Sequence, residues 1–245
     1  MRSKYVLRHK KHMLSADISY SDVEKRLKNL LGLLTEKERT AFEATYAVRE
    51  YSKNEIIYHQ GESPDHLLCL LSGKVKIYRE GVDGRCQIMR LLCPGQYFGY
   101  RASLAQEPYV TAAAAFEPAW VCSFPMSVVK HAMSENIALC SFFVHELAVD
   151  LGIADSRIVG LTQKHLRGRL AETLLFLKNS YGTEADGRTL RLCLSRENLA
   201  GFSNMTTSNA IRTLSSFSTE KLIELKGRRI TLVDEQKLMR ISRMG

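Results

Sequence analysis

From Asn136 to His165 the chain contains no proline and no cluster of turn formers. Apolar or small residues recur at Cys140, Val144, Leu147, Leu151, Ala154, Ile158 and Leu161. Their alternating steps of four and three make a heptad seam, the period of one helix face. Read as one helix, residues 137–165 span roughly 43 Å at about 1.5 Å per residue. Such a stripe is covered either by the core of its own chain or by a second copy in a coiled coil. Asp150, Asp155, Arg157 and Lys164 fall off the seam, which suits the two-chain arrangement. The contact residues of that dimer would be Val144, Leu147, Leu151, Ala154, Ile158 and Leu161. Gly152 and Gly160 weaken the helix slightly.

Ahead of this segment the texture differs. Between Val48 and Phe124 short apolar or alternating runs are broken by Gly-Glu-Ser-Pro, Ser-Gly, Val-Asp-Gly-Arg and Cys-Pro-Gly. Strands are expected near Glu55–His59, His66–Leu71, Lys74–Arg79, Cys86–Leu92, Tyr109–Ala115 and Ala119–Phe124, with Asp83-Gly84 as a hairpin turn. Many short strands at close spacing imply an antiparallel sandwich or barrel. Ser21–Thr45 has helical periodicity.

Behind the seam, "LRGRLAETLLFLK" reads as a helix over Leu166–Lys178, followed by a polar loop and a strand at "TLRLCLS". Arg196–Phe202 then reads as a short helix capped by Ser195. "SNM" is a turn, with Asn204 suited to the left-handed backbone region. Thr206 caps a second helix from Thr207 to about Phe217. Ala210, Leu214 and Phe217 line its apolar face; Ser208, Arg212 and Ser215 lie opposite. Two helices joined by a tight turn make helix-turn-helix spacing, and "LIELKGRRITLV" adds a hairpin wing around Lys226-Gly227-Arg228.

The charge distribution agrees with a DNA-binding end. The net charge is +9, with 14 basic and 8 acidic residues in 166–245, while residues 1–20 form a basic tail. A solvated basic face is the plain reading of the excess. Phosphate binding is the other, because basic side chains near a nucleic-acid backbone release condensed counterions. Free N–H groups at the start of the second helix, with the hydroxyls of Thr206, Thr207 and Ser208, suit phosphate. Arg212 suits the guanine O6/N7 edge. Ser195, Arg196, Asn209, Lys226, Arg228 and Arg229 complete the expected DNA-contacting set.

In this order, a glycine-punctuated roll ("GESPDHLLCLLSGKVKIY", then "PGQYFG"), a long helix and a winged helix-turn-helix resemble the Crp/Fnr family, that of the cyclic AMP receptor protein and the fumarate-nitrate reduction regulator. The resemblance covers nearly the whole chain. It implies an α+β fold: a β-roll sensor domain at 21–135 of cyclic-nucleotide-binding type, a dimerisation helix at 136–165 and a winged helix-turn-helix domain at 166–245. It also implies a cytoplasmic homodimeric transcription factor on an inverted-repeat operator in double-stranded DNA, with RNA polymerase as a further candidate partner and no membrane.

Departures from the family pattern bear on the effector. Cyclic-AMP-binding members carry a Glu after "FG", then an Arg-Ser pair, and a Thr-Ser pair in the dimer helix. Here these become Tyr100, Tyr109-Val110 and Ala154-Asp155, so cyclic AMP is not the expected effector unless Arg101 turns inward. The iron–sulfur branch needs clustered N-terminal cysteines, whereas the first here is Cys69. Tyr100, Arg101, Tyr109, Thr111, Ala154 and Asp155 remain as the effector-pocket expectation. Haem, with His59, His66, His131, His145 or Met89 as ligand, and an unliganded scaffold stay open. The recognition helix keeps one family arginine, Arg212, but has Thr207-Ser208 in place of Arg-Glu.

Other classes are weaker. No HExxH, P-loop, GxSxG or paired Cys/His spacing points to an enzyme or a metal site. The six cysteines are scattered without a CxxC pair, and most are expected to be buried free thiols. No secretory signal stands at the N-terminus. No run of about 18 uninterrupted apolar residues appears. The alternative function is a ligand-binding or protein-interaction module without DNA-binding activity.

Overall fold

A computed structural model of the chain describes residues 5–6, 20–81 and 86–244. Apart from Tyr5, Val6 and Tyr20, the expected basic tail at 1–20 lies outside the described residues, as does the Asp83-Gly84 turn. The chain forms two compact units, one of residues 1–79 and 89–150, the other of 80–88 and 151–245.

The first unit begins with β1 (Tyr5–Val6), α1 (Tyr20–Leu31) and α2 (Glu36–Thr45). The helical periodicity over Ser21–Thr45 is carried by two helices. Thr35 interrupts it by forming a reciprocal capping box with Glu38, which satisfies the free N–H groups that open α2. There follow β2 (Ala47–Tyr51), β3 (Ile56–Tyr58), β4 (His66–Ser72), β5 (Val75–Glu80), β6 (Cys86–Leu92), β7 (Tyr97–Phe98), α3 (Tyr100–Leu104), β8 (Ala112–Ala115), β9 (Ala119–Pro125), α4 (Met126–Glu135) and α5 (Ile137–Gln163). Strand β8 is shorter than expected because Tyr109–Thr111 is irregular.

Five strands form one sheet in the order β1-β2-β9-β4-β7, and four form another in the order β3-β8-β5-β6. The pairs β2/β9, β4/β9, β3/β8 and β5/β8 are antiparallel. Strand β4, "HLLCLLS", is apolar almost throughout because both of its faces are covered. Leu67, Cys69 and Leu71 enter a core shared with α1, α2 and α4, while Leu68 and Leu70 enter a second core with Val75, Ile77 and Leu92. Strand β9 divides the same way, with Trp120, Cys122 and Phe124 on one side and Ala119 and Val121 on the other. Gly73, φ 79°, turns the chain from β4 into β5, and a Cβ there would meet the Pro118 carbonyl oxygen at 2.2 Å. No other residue type fits that turn.

Asn136 caps α5 by accepting from the Leu139 N–H at 3.0 Å. Early in the helix, Leu139 and Phe143 are buried and Leu147 packs against the same core. Cys140 and Leu161 are half-buried, while Val144 is 59% exposed, Leu151 62% and Ile158 58%.

The second unit contains the remainder of α5, then α6 (Leu166–Tyr181), α7 (Arg196–Phe202), α8 (Thr207–Thr219), β10 (Ile223–Lys226), β11 (Arg229–Leu232) and α9 (Glu235–Met244). The expected strand at "TLRLCLS" is absent; Thr189 and Leu190 make only isolated bridges, to Thr231 and Thr183. Asp186 accepts from the Arg188 and Thr189 N–H groups and the Thr189 hydroxyl, which fixes the turn ahead of this segment, while Leu190 donates to the Ile230 carbonyl and Arg188 accepts from the Leu232 N–H. Helix α9, which carries no start signal beyond Asp234, packs Leu238 inward.

All six cysteines are free, but only Cys69 and Cys122 are buried; Cys86, Cys93 and Cys140 are half-buried and Cys193 is exposed. Burial pushes the Cys69 thiol up to about 12, so it is inert as a nucleophile at neutral pH.

Candidate nucleic-acid interface

Helices α7 and α8 form the core of the candidate site. Ser195 caps α7 by accepting from the Asn198 N–H at 3.1 Å, and Thr206 caps α8 by accepting from the Asn209 N–H at 3.2 Å. Each hydroxyl thereby acts as an acceptor and keeps its own O–H free to donate outward. Between them Asn204 adopts φ 49°, the left-handed conformation the turn requires. The Arg169 guanidinium donates to the Asn204 carbonyl at 2.9 Å and steadies that turn.

Ala210, Leu214 and Phe217 are buried, as expected, and Thr213 joins them on the inner face of α8. Thr207, Ser208, Ile211, Arg212 and Ser215 are exposed, while Asn209 is half-buried. The far end of α8 is clamped. Arg167 donates to both carboxylate oxygens of Glu220, at 2.8 and 2.7 Å, and to the Ser216 hydroxyl at 2.6 Å. That fork holds the Glu220 carboxyl at about 2, well below the ordinary carboxylate range.

The wing is a hairpin of β10 and β11 with Lys226 opposite Arg229. Arg196 donates to the Gly227 carbonyl at 2.8 Å, tying the start of α7 to the wing tip. Lys226 and Arg228 are exposed beside it. Arg229, expected to hold phosphate, forms an ion pair with Glu184. The pair ties the wing to the loop that carries Glu184, and Arg229 remains exposed. Arg167 is likewise paired with a carboxylate, and Arg169 and Arg196 donate to backbone carbonyls, whereas Arg212, Lys226 and Arg228 are exposed.

Sequence reasoning missed Ile211. Only its position off the Ala210–Leu214–Phe217 line signals it. Arg157 was noted only as a charge off the seam. Its guanidinium donates to the Ile88 and Phe202 carbonyls, both at 3.1 Å, and lies 4.6 Å from the centroid of the Phe202 ring. Burial pushes its pKa down.

Of the residues expected to line an effector pocket, Tyr100, Arg101, Tyr109 and Thr111 lie in the first unit. Tyr109 is buried and stacks on Tyr58 with centroids 3.8 Å apart, within the interior core that includes Leu68, Phe98 and Ala113. Tyr58 shares a hydrogen bond with Thr111, and burial pushes its hydroxyl up to about 12. Tyr100 packs on Phe143 at 5.1 Å, and burial, with Asp150 and Glu146 nearby, pushes its hydroxyl up as well. Arg101 points to Glu107 at 2.7 Å. Ala154 and Asp155 are exposed on α5 within the second unit. His59, His66, His131, His145 and Met89 are exposed side chains. Among the described residues no three His, Cys, Asp or Glu side chains gather to hold a metal ion.

Known proteins carry the same two parts. The family model of the cyclic nucleotide-binding domain matches residues 48–136, and that of the Crp-like helix-turn-helix domain matches residues 168–241. The chain is 24% identical over 196 residues to a CRP-like cAMP-activated global transcriptional regulator of Mycobacterium tuberculosis, covering 79% of this chain and 87% of that one. It is 27% identical over 188 residues to the global nitrogen regulator of Nostoc sp., covering 76% and 84%. Among solved structures, FixK2 from Bradyrhizobium japonicum superposes with a TM-score of 0.71 at 24% identity, over 80% of this chain and 96% of its own. A CRP-family transcriptional regulator from Thermus thermophilus gives 0.68 at 26% identity, over 80% and 96%.

Proposed function

Because the chain belongs to the Crp/Fnr family of transcriptional regulators, with a cyclic nucleotide-binding domain and a Crp-like helix-turn-helix domain, we propose that it is a homodimeric, sequence-specific DNA-binding regulator that works without cyclic AMP. The observation that carries this reading is the outer face of α8. It has a capped, hydroxyl-rich N-terminus, an exposed Arg212 one turn further on, and a wing bearing Lys226 and Arg228 tied to the same helix pair through Arg196. Arg212 reads a base; Thr206, Lys226 and Arg228 hold phosphates.

Dimerisation rests on the uncovered seam of α5. By length and composition this helix is apolar enough to cross a membrane, but Glu146, Asp150, Asp155 and Arg157 are spaced along it, and charges at bilayer depth are costly. A second copy of the seam covers Leu151 and Ile158 while leaving Asp155 in water and the Arg157 guanidinium on its carbonyl partners. The independence from cyclic AMP rests on the Tyr58–Tyr109 stack and the Arg101–Glu107 pair.

Operator selection from random DNA tests the reading. Two half-sites in an inverted repeat about 34 Å apart are expected, one helical turn of the duplex. Arg212→Ala should cost about 1–3 kcal/mol per half-site and flatten preference at one base pair. Arg228→Ala should weaken all sequences alike and reduce the salt slope by about one. An unchanged motif with Arg212→Ala would refute the assignment of the reading residue.

A further inference from the structure

The outer face of α8 carries one large apolar side chain, Ile211, which is 47% exposed. The core has no use for it, since the inner face is filled by Ala210, Leu214 and Phe217. A single exposed isoleucine is ordinary on a protein surface. Its position is what gives it meaning. Ile211 follows Thr207 by one turn on a helix whose N-terminus is capped and open. It stands next to Arg212, roughly 100° away around the axis, so the two side chains flank the line of Ser208 and Ser215.

We propose that Ile211 is a specificity-determining residue that reads the 5-methyl group of a thymine beside the guanine read by Arg212. The inference rests on the DNA-binding reading above. An isoleucine side chain neither donates nor accepts a hydrogen bond. Set against a phosphate, an exocyclic amine or a carbonyl, it strips water from a polar group and returns nothing. The thymine methyl is the one apolar group that base edges present in the major groove, and cytosine carries a donor nearby instead. Adjacent residues on a helix rise about 1.5 Å against about 3.4 Å per base step, so the thymine lies within about two base pairs of the guanine.

The test uses the full-length protein and its selected operator, with each thymine replaced in turn by deoxyuridine, which removes only the methyl group. One buried methyl is worth about fourfold in affinity. At one thymine per half-site, deoxyuridine is expected to weaken wild-type binding about fourfold, and about fifteenfold when both half-sites are replaced. At that position Ile211→Ala should bind the thymine and deoxyuridine duplexes equally, while its response to changes at the Arg212 guanine stays as in the wild type. The proposal is overturned if Ile211→Ala keeps the wild-type ratio of thymine to deoxyuridine affinity at every position. Failure of the wild type to select any operator overturns the DNA-binding reading itself, a different outcome from a selected operator whose thymines are insensitive to Ile211.

Discussion

Gly201→Ala separates local helix preference from tertiary packing within the second unit. Gly201 lies inside α7, where alanine in an isolated helix is favoured over glycine by about 1 kcal/mol. In the folded unit a Cβ at this position would stand 2.3 Å from the Cys86 carbonyl oxygen and 3.8 Å from the Ile88 side chain. The first contact is with backbone, which cannot swing aside as a side chain does, so residues 86–88 and α7 must separate by about 1 Å. Overpacking of this kind costs about 1–3 kcal/mol. The same movement stretches the bonds from Arg157 to the Ile88 and Phe202 carbonyls, and a charged hydrogen bond contributes about 1.5–3 kcal/mol. After subtracting the gain in helix preference, Gly201→Ala is expected to destabilise the unit by about 1.5–5 kcal/mol. Gly152→Ala is the matched control, because a Cβ there meets nothing within 4 Å, and it should stabilise by about 0.5–1 kcal/mol. Urea unfolding followed by helical circular dichroism measures the totals. Amide hydrogen exchange of peptides covering 86–88 and α7 locates the change. If Gly201→Ala stabilised the protein as Gly152→Ala does, the packing of the Cys86 carbonyl on α7 would be wrong.

Ile158→Asp should convert the dimer to monomer in sedimentation and abolish tight operator binding; a wild type that is monomeric at micromolar concentration refutes the paired seam. Leu147→Asp is a poorer probe, because Leu147 packs on the core of its own chain. Calorimetry with cyclic AMP and cyclic GMP should detect no binding, and micromolar affinity for either would contradict the filled roll interior. Glu220 has its folded pKa lowered from 4.5 to about 2, so its stabilising contribution is complete above about pH 4.5 and is lost as pH falls towards 2. Wild type and Glu220→Gln should therefore differ by about 1 kcal/mol or less at neutral pH, given the exposure of the pair, and converge near pH 2; a difference constant with pH would exclude the Arg167 fork as its cause.

Elements set by neighbouring residues are legible in the amino-acid sequence alone. The caps Ser195 and Thr206, the left-handed Asn204 and the start of α7 and α8 all follow from side chains acting on backbone groups a few positions away. Strand β6 has the expected bounds, Cys86–Leu92, because its pattern and turns are local. The "TLRLCLS" segment is not a strand because its pairing stops at Thr189 and Leu190, and apolar alternation does not reveal where a partner strand ends. The Arg229–Glu184 pair is likewise not legible in the sequence, since Glu184 is 45 residues away in the chain.

The amino-acid sequence by itself determined the order of parts: short paired strands, one long helix with a repeating apolar seam, then a capped helix pair and a basic wing. Periodicity, turn chemistry and capping are short-range, so they survive without knowledge of what packs where. Tertiary structure decided which cationic groups take on partners, because Arg167, Arg196 and Arg229 meet groups distant in the sequence. It also decided that Tyr58 and Tyr109 fill the roll interior by stacking and that Ile211 faces outward. Burial and ion pairing depend on distances between residues far apart in the chain, and composition and spacing carry no measure of those distances.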